Sequence, residues 1–166
     1  NRNKRSAVLN LKDPADAALA RQLILEADVV VENNRPGVMD RLGLGWAAMS
    51  AEKPQLLYCS ISAYGQTGPR AGEGGFDLTI QAASGVMSVT GEPDGAPVKC
   101  GVPLVDFASG LYAAFSIATM LVQVRSGGRG AHIDIPMFGC TLGIAALQTS
   151  EYFGNGESPV KLGSAH

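Results

Sequence analysis

Residues 101–123, GVPLVDFASGLYAAFSIATMLVQ, hold one charged residue, Asp106, in an otherwise uncharged run. From Phe107 onward Leu111, Phe115, Ala118 and Leu121 or Val122 recur at helical spacing, which predicts a largely buried helix. A carboxylate is rarely well buried without partners. At the first turn of such a helix Asp106 has two uses. Its oxygens can cap free backbone N–H groups and face the positive end of the dipole. Held against an apolar wall, with a glycine nearby to admit a ligand, it can instead act as nucleophile or base. The local pattern leaves both open. Because residues 104–124 also contain Ser109 and Ser116, they read as a core helix rather than a membrane span.

The elements before this helix predict an α/β fold. Residues 6–11 (SAVLNL) alternate enough to be a strand. Asp13 at the N-cap and Pro14 at the first helical position predict a helix to about Glu26, with Ala18, Leu19, Leu23 and Ile24 on its apolar face. Residues 28–32 are a short β-branched strand, so strand, helix and strand form a right-handed βαβ unit over a parallel sheet. Short helices follow at 37–42 and 46–53, then a third strand at 55–61 with Pro54 at its boundary. Residues 76–84 return to helix, and 91–95 (GEPDG) are a turn. Residues 125–130 (RSGGRG) end the long helix. A fourth strand at 131–135 precedes a helix over 136–152, in which Met137, Phe138, Leu142 and Leu147 read as core. The expected fold is a Rossmann-like parallel sheet with helices on both faces.

Two loops are candidate binding segments. Asn33, Asn34 and Arg35 directly follow a strand, and ligands of open α/β sheets bind at the carboxyl ends of strands. Arg35 and Arg41, on either side of a short helix, can both reach a phosphate or can be ordinary surface arginines. Residues 62–75, SAYGQTGPRAGEGG, match neither GxGxxG nor GxxxxGK[ST], but their glycines let a ligand approach the backbone. His132 in a strand reads as a packed or hydrogen-bonded histidine rather than a ligand. His166 lacks a spaced Cys, Asp or second His partner for metal, and no metal site is expected.

At 166 residues, with 46% hydrophobic and 17% charged residues, the chain has enough apolar content for one domain with a real core. A formal charge of −2 offers no general field for nucleic acid or an acidic membrane surface. Cys59, Cys100 and Cys140 are too far apart for a zinc motif or a disulfide framework, which suggests a reducing, cytoplasmic setting. The opening residues Asn1 to Arg5 and the closing Gly163 to His166 do not look like domain edges, so the chain reads as an excised piece of a longer protein.

The ordered segments resemble the family III CoA-transferases (CaiB/BaiF family), which include formyl-CoA transferase, carnitine CoA-transferase and alpha-methylacyl-CoA racemase. Asn3-Lys4-Arg5-Ser6, then residues 27–33 (ADVVVEN) with Arg35-Pro36-Gly37, begin the match. Gly65-Gln66-Thr67-Gly68-Pro69, Phe76-Asp77, residues 91–97, Asp106 with Gly110, and Gly127-Gly128-Arg129-Gly130 continue it in order. The resemblance implies that Asp106 is the aspartate that attacks an acyl-CoA thioester, passing through aspartyl anhydride and aspartyl-CoA thioester intermediates to a small carboxylic acid acceptor. It implies CoA contacts at Asn33, Asn34, Arg35 and Arg41, with Leu9 and Lys12 as further contacts, and places residues 62–75 in the acyl-CoA channel. CoA is then a substrate, with no tightly bound cofactor. In the racemases a histidine precedes the equivalent of Asp77; Phe76 stands there, which favours transfer over the racemase alternative. A third alternative is an inactive fragment that keeps the scaffold. The resemblance further implies a partial CoA-binding domain over 1–166, a segment leading to a small domain from about 153, and an interlocked homodimer of the intact protein.

Overall fold

Three strands form one parallel sheet in the order β1-β2-β3: β1 (Val29–Glu32), β2 (Leu57–Ser62) and β3 (His132–Pro136). Val29 to Glu32 stand beside Leu57 to Ser60, and Tyr58 to Ser62 stand beside His132 to Pro136. The computed structural model describes residues 2–164, so His166 lies outside the described residues. Around the sheet run α1 (Pro14–Glu26), α2 (Val38–Arg41), α3 (Trp46–Glu52), α4 (Asp77–Ala83), α5 (Leu104–Arg125), α6 (Met137–Ile144) and α7 (Ala146–Asn155), with a 3-10 turn at Val86–Ser88.

The alternation of side chains along β2 divides the core. Leu56 and Tyr58 pack with Leu44 and Met49 on one face, where Ala20, Ile24 and Leu25 of α1, Trp46 of α3 and Val30 of β1 close over them. Cys59 and Ile61 point the other way, to Ile133, Ile135, Ala113, Ile117, Met120 and Cys140. Helices thus cover both faces, as the sequence predicts. Burial pushes the Cys59 thiol up to about 11, with Glu32 and Asp134 adding to the shift, so it is a core thiol rather than a reactive one.

Asp13 caps α1 as expected, its Oδ1 accepting the N–H groups of Ala15 at 2.9 Å and Asp16 at 3.3 Å. The face that α1 buries is rotated from the expected one: Ala20, Ile24 and Leu25 turn inward while Leu19 and Leu23 are exposed.

Residues 6–11 are not a strand. Among the described residues they pair with no neighbour, and Val8 is 98% exposed. The N–H of Asn10 donates to Asp16 Oδ2 at 2.7 Å and its carbonyl accepts from Asp13 at 2.7 Å. These local bonds hold the segment to the start of α1, where ladder bonds would otherwise be needed. The first parallel crossover is therefore β1 to β2 through α2 and α3.

The long helix is present, but it is not largely buried. Val105, Ala108, Ser109 and Ala113 meet the molecule, and α5 packs against β2, β3, α4 and α6. Leu111 is 71% exposed and Phe115 74%, with Phe107 and Val122 on the open side too. Apolar spacing gave the helix, but its small residues form the packed side, because they let the helix approach the sheet closely. α5 is long and apolar enough to cross a membrane by length and composition. The expected helix over 136–152 breaks at Ala145 into α6 and α7, which leaves Leu147 exposed instead of in the core.

Candidate active site

A cleft of about 600 Å³ opens at the carboxyl ends of the strands. Each wall follows from the local sequence. Beyond β1 the chain supplies Asn33, Asn34, Arg35 and Pro36; the end of β2 supplies Ile61, Ser62 and Ala63. The end of the glycine-rich segment and the start of α4 contribute Glu73 to Phe76 and Thr79. The first turns of α5 contribute Asp106, Ser109 and Gly110. Asn33, Asn34, Arg35 and Asp106, distant in sequence, thus share one cleft. Arg41, Leu9 and Lys12 lie outside its lining. Arg41 is exposed in the last turn of α2, where a cation suits the helix dipole. Lys12 is exposed, its N–H donating to Asn10 Oδ1 at 3.2 Å, and Leu9 is half-buried.

The glycine-rich segment is tied down at both ends. Gly65 takes a φ of +93°, open to glycine and strained for other residues, and its N–H donates to Ser62 Oγ at 3.1 Å. The next N–H, of Gln66, donates to Asp134 Oδ2 at 2.8 Å. Arg70 then lies 3.8 Å over the Tyr64 ring and donates through Nε and Nη2 to the Glu73 carboxylate at 2.7 to 3.0 Å. That pairing holds the Glu73 carboxyl below the usual carboxylate range. At Gly74 an added Cβ would come within 2.9 Å of Arg35 Nη2, so the missing side chain makes room for the guanidinium against the cleft wall.

Asp106 is in the first turn of α5 but does not cap it. Pro103 occupies the cap position and makes no side-chain cap bond. The cap comes from α4: Asp77 Oδ1 accepts the N–H of Val105 at 2.8 Å and that of Asp106 at 3.3 Å. Asp77 Oδ2 accepts from Gln81 Nε2 at 2.6 Å, and Gln81 Oε1 accepts the Cys100 N–H at 2.8 Å. Gln81 is fully buried, and its Nε2 and Oε1 both have partners on the way from α4 to the segment leading into α5. The capping role read for Asp106 therefore belongs to Asp77. Desolvation, and then the negative charge of Asp77, push the Asp106 carboxyl above the usual carboxylate range.

The reading of residues missed this Asp77–Gln81 relay, since Asp77 lies 28 positions before Val105. One signal was present: Gly101-Val102-Pro103 offers no Ser, Thr, Asp or Asn to cap α5, so an acceptor had to come from elsewhere. Phe76, 62% exposed, stands at the cleft beside Asp77, its backbone held by the Thr79 hydroxyl at 2.9 Å. His132 lies on the sheet, bonded to Ser60 Oγ at 2.9 Å and stacked on Trp46, as a packed histidine.

Comparisons with known proteins identify the family. The chain is 42% identical over its whole length to the succinate–glutarate CoA-transferase of Agrobacterium fabrum, covering 42% of that protein. It is 42% identical to the acetyl-CoA:oxalate CoA-transferase of Acetobacter aceti, covering 43% of it. The chain thus spans about two-fifths of the length of these relatives. A solved CaiB/BaiF family protein from Brucella suis superimposes with a TM-score of 0.96 at 42% identity, over the whole of this chain and 44% of that one. The family model for CoA-transferase family III matches residues 1–166. With the parallel sheet, the strand-end cleft and the ordered loops in agreement, the chain belongs to CoA-transferase family III.

Proposed function

We propose that the intact protein moves coenzyme A from an acyl-CoA donor to a carboxylic acid acceptor, with Asp106 as the covalent nucleophile. The observation that carries this reading is the division of labour at the start of α5: Asp77 caps the helix, and the Asp106 carboxylate faces the cleft without that task. A carboxylate stripped of part of its hydration is a stronger nucleophile than a fully solvated one.

Asp106 attacks the thioester carbonyl, forming a mixed anhydride and releasing CoA thiolate. The thiolate attacks the aspartyl carbonyl, giving the aspartyl-CoA thioester and freeing the donor acid. The acceptor carboxylate attacks that thioester, forming a second anhydride and again releasing CoA thiolate. Attack of the thiolate on the acceptor's acyl carbonyl yields the new acyl-CoA and restores Asp106. The glycine-rich wall at Gly74 and Gly75 brings backbone close to the reacting carbonyl, where N–H groups stabilise an oxyanion. Arg35, Asn33 and Asn34 hold the CoA end; Arg41, Leu9 and Lys12 contact its more distant parts, consistent with their position outside the cleft. Relatives named for succinate, glutarate and oxalate support a dicarboxylic acid as substrate.

Phe76 favours transfer over racemisation, because a racemase needs a second acid/base group across the α-carbon and phenylalanine supplies none. The test is to mix the intact protein with succinyl-CoA and a panel of acids and follow new thioesters by mass. Solvent deuterium at the α-carbon of a 2-methylacyl-CoA, with no thioester exchange, supports the racemase. Neither product supports a scaffold without activity.

A further inference from the structure

Gly110 is inside α5, four residues after Asp106, and lines the cleft. Glycine is a poor helix former, so its presence in a helix interior calls for a reason. The two usual reasons do not apply. Its φ is not among the positive values in the chain, and a Cβ added to it would meet nothing within 4 Å. Gly75 and Gly143 differ: an added Cβ would come within 2.9 Å of Ala63 Cβ at the first, and 2.6 Å of the Tyr112 hydroxyl at the second. Gly110 is therefore not required by the packing of its helix.

What it faces is the cleft. Side chains four apart on a helix share a face, and each Cα–Cβ bond tilts toward the helix N-terminus. A side chain at position 110 would lean over the turn that carries Asp106. Its neighbour Ser109, also in the lining, turns its hydroxyl back to the Val105 carbonyl at 2.7 Å and leaves that space open.

We infer that Gly110 determines substrate size: it keeps open, beside Asp106, the space taken by the carbon chain of the dicarboxylic acid. A side chain there narrows the choice to shorter acids. This inference rests on the reading of Asp106 as the nucleophile of CoA transfer.

The test uses the intact protein with Gly110→Ala and Gly110→Val, and oxalate and glutarate as acceptors. Gly110→Ala should leave Tm unchanged or raise it, since alanine favours the helix and meets no neighbour. Gly110→Val should lower kcat/KM for glutarate by about 10-fold or more relative to oxalate, the scale on which one or two carbons are discriminated. Calorimetric binding of the two acids in the presence of CoA reads the same ratio without turnover. A ratio unchanged by Gly110→Val in both measurements overturns the proposal. So does a lower Tm in Gly110→Ala with the ratio unchanged, since the glycine would then serve packing against a segment beyond the described residues. Asp106→Asn, measured in parallel, separates the two readings: transfer that survives it overturns the nucleophile assignment whatever the Gly110 variants do.

Discussion

Asp77 Oδ1 accepts the backbone N–H of Asp106 at 3.3 Å. One carboxylate thus holds in place the residue that bears the other, and its charge also opposes ionisation of its neighbour. The same oxygen takes the Val105 N–H at 2.8 Å, so the start of α5 and the start of α4 are locked as one unit at the cleft. The capping read for Asp106 in the sequence falls to Asp77, which leaves the Asp106 side chain without that task.

Asp106→Asn in the intact protein should lower transfer by roughly 10⁴-fold or more, as loss of a catalytic group of this kind does, while CoA binding persists. Asparagine keeps the shape of the side chain but is a poor nucleophile. Quenching and digesting the wild-type reaction should give an acyl or CoA adduct on the peptide that contains Asp106. Full activity of the variant, or no adduct in an active wild type, would sink the assignment.

The pH dependence of stability has a definite sign at this residue. The Asp106 carboxyl is raised in the folded state, so between its unfolded and folded pKa values the folded protein holds more protons. Its contribution to stability therefore falls as pH rises through that window, and the loss is complete above the folded pKa. Asp106→Asn should be more stable than wild type at neutral pH, with the gap closing as pH falls below about 4. Thermal melts across pH 3 to 7 check this; a gap that widens on acidification contradicts it.

Asp77→Ala should destabilise the protein by about 1–3 kcal/mol, because the N–H groups at the start of α5 and the buried Gln81 amide lose their acceptor. Asp77→Asn should not restore full stability. Its amide nitrogen would meet the Gln81 amide nitrogen, and turning Gln81 over would set a donor against the Cys100 N–H. Urea unfolding of both variants measures this, and wild-type stability in Asp77→Asn would count against the relay.

Arg35→Ala should weaken CoA binding by about 1–3 kcal/mol if a charge-assisted phosphate bond is lost, and Arg41→Ala should weaken it by a similar amount. Neither should change the rate once CoA is saturating. Calorimetric titration with CoA decides it, and unchanged affinity in both variants would make them surface arginines.

Much of the fold was legible in the residues because its signals are local. Asp13-Pro14 starts α1, the β-branched run makes β1, and glycine ends α5; each acts through bonds within a few positions. The position of Asn33 to Arg35 in a loop directly after a strand was legible for the same reason, and the structure places that loop in the cleft lining. The interrupted helix at Ala145 was not, since Gly139 and Gly143 weaken that run without fixing where it breaks.

By itself, the sequence determined that helices and β-branched strands alternate, that a parallel sheet results, and that Asp106 begins a long apolar helix. Only the tertiary structure decided which face of each helix is buried, as at Leu111 and Phe115, because periodicity gives an apolar stripe without saying what stands opposite it. It also decided that residues 6–11 stay outside the sheet, since a strand exists only where a partner offers its N–H and C=O groups. The source of the α5 cap was decided in the same way: Asp77, on another helix, supplies it, and no spacing within α5 contains that information.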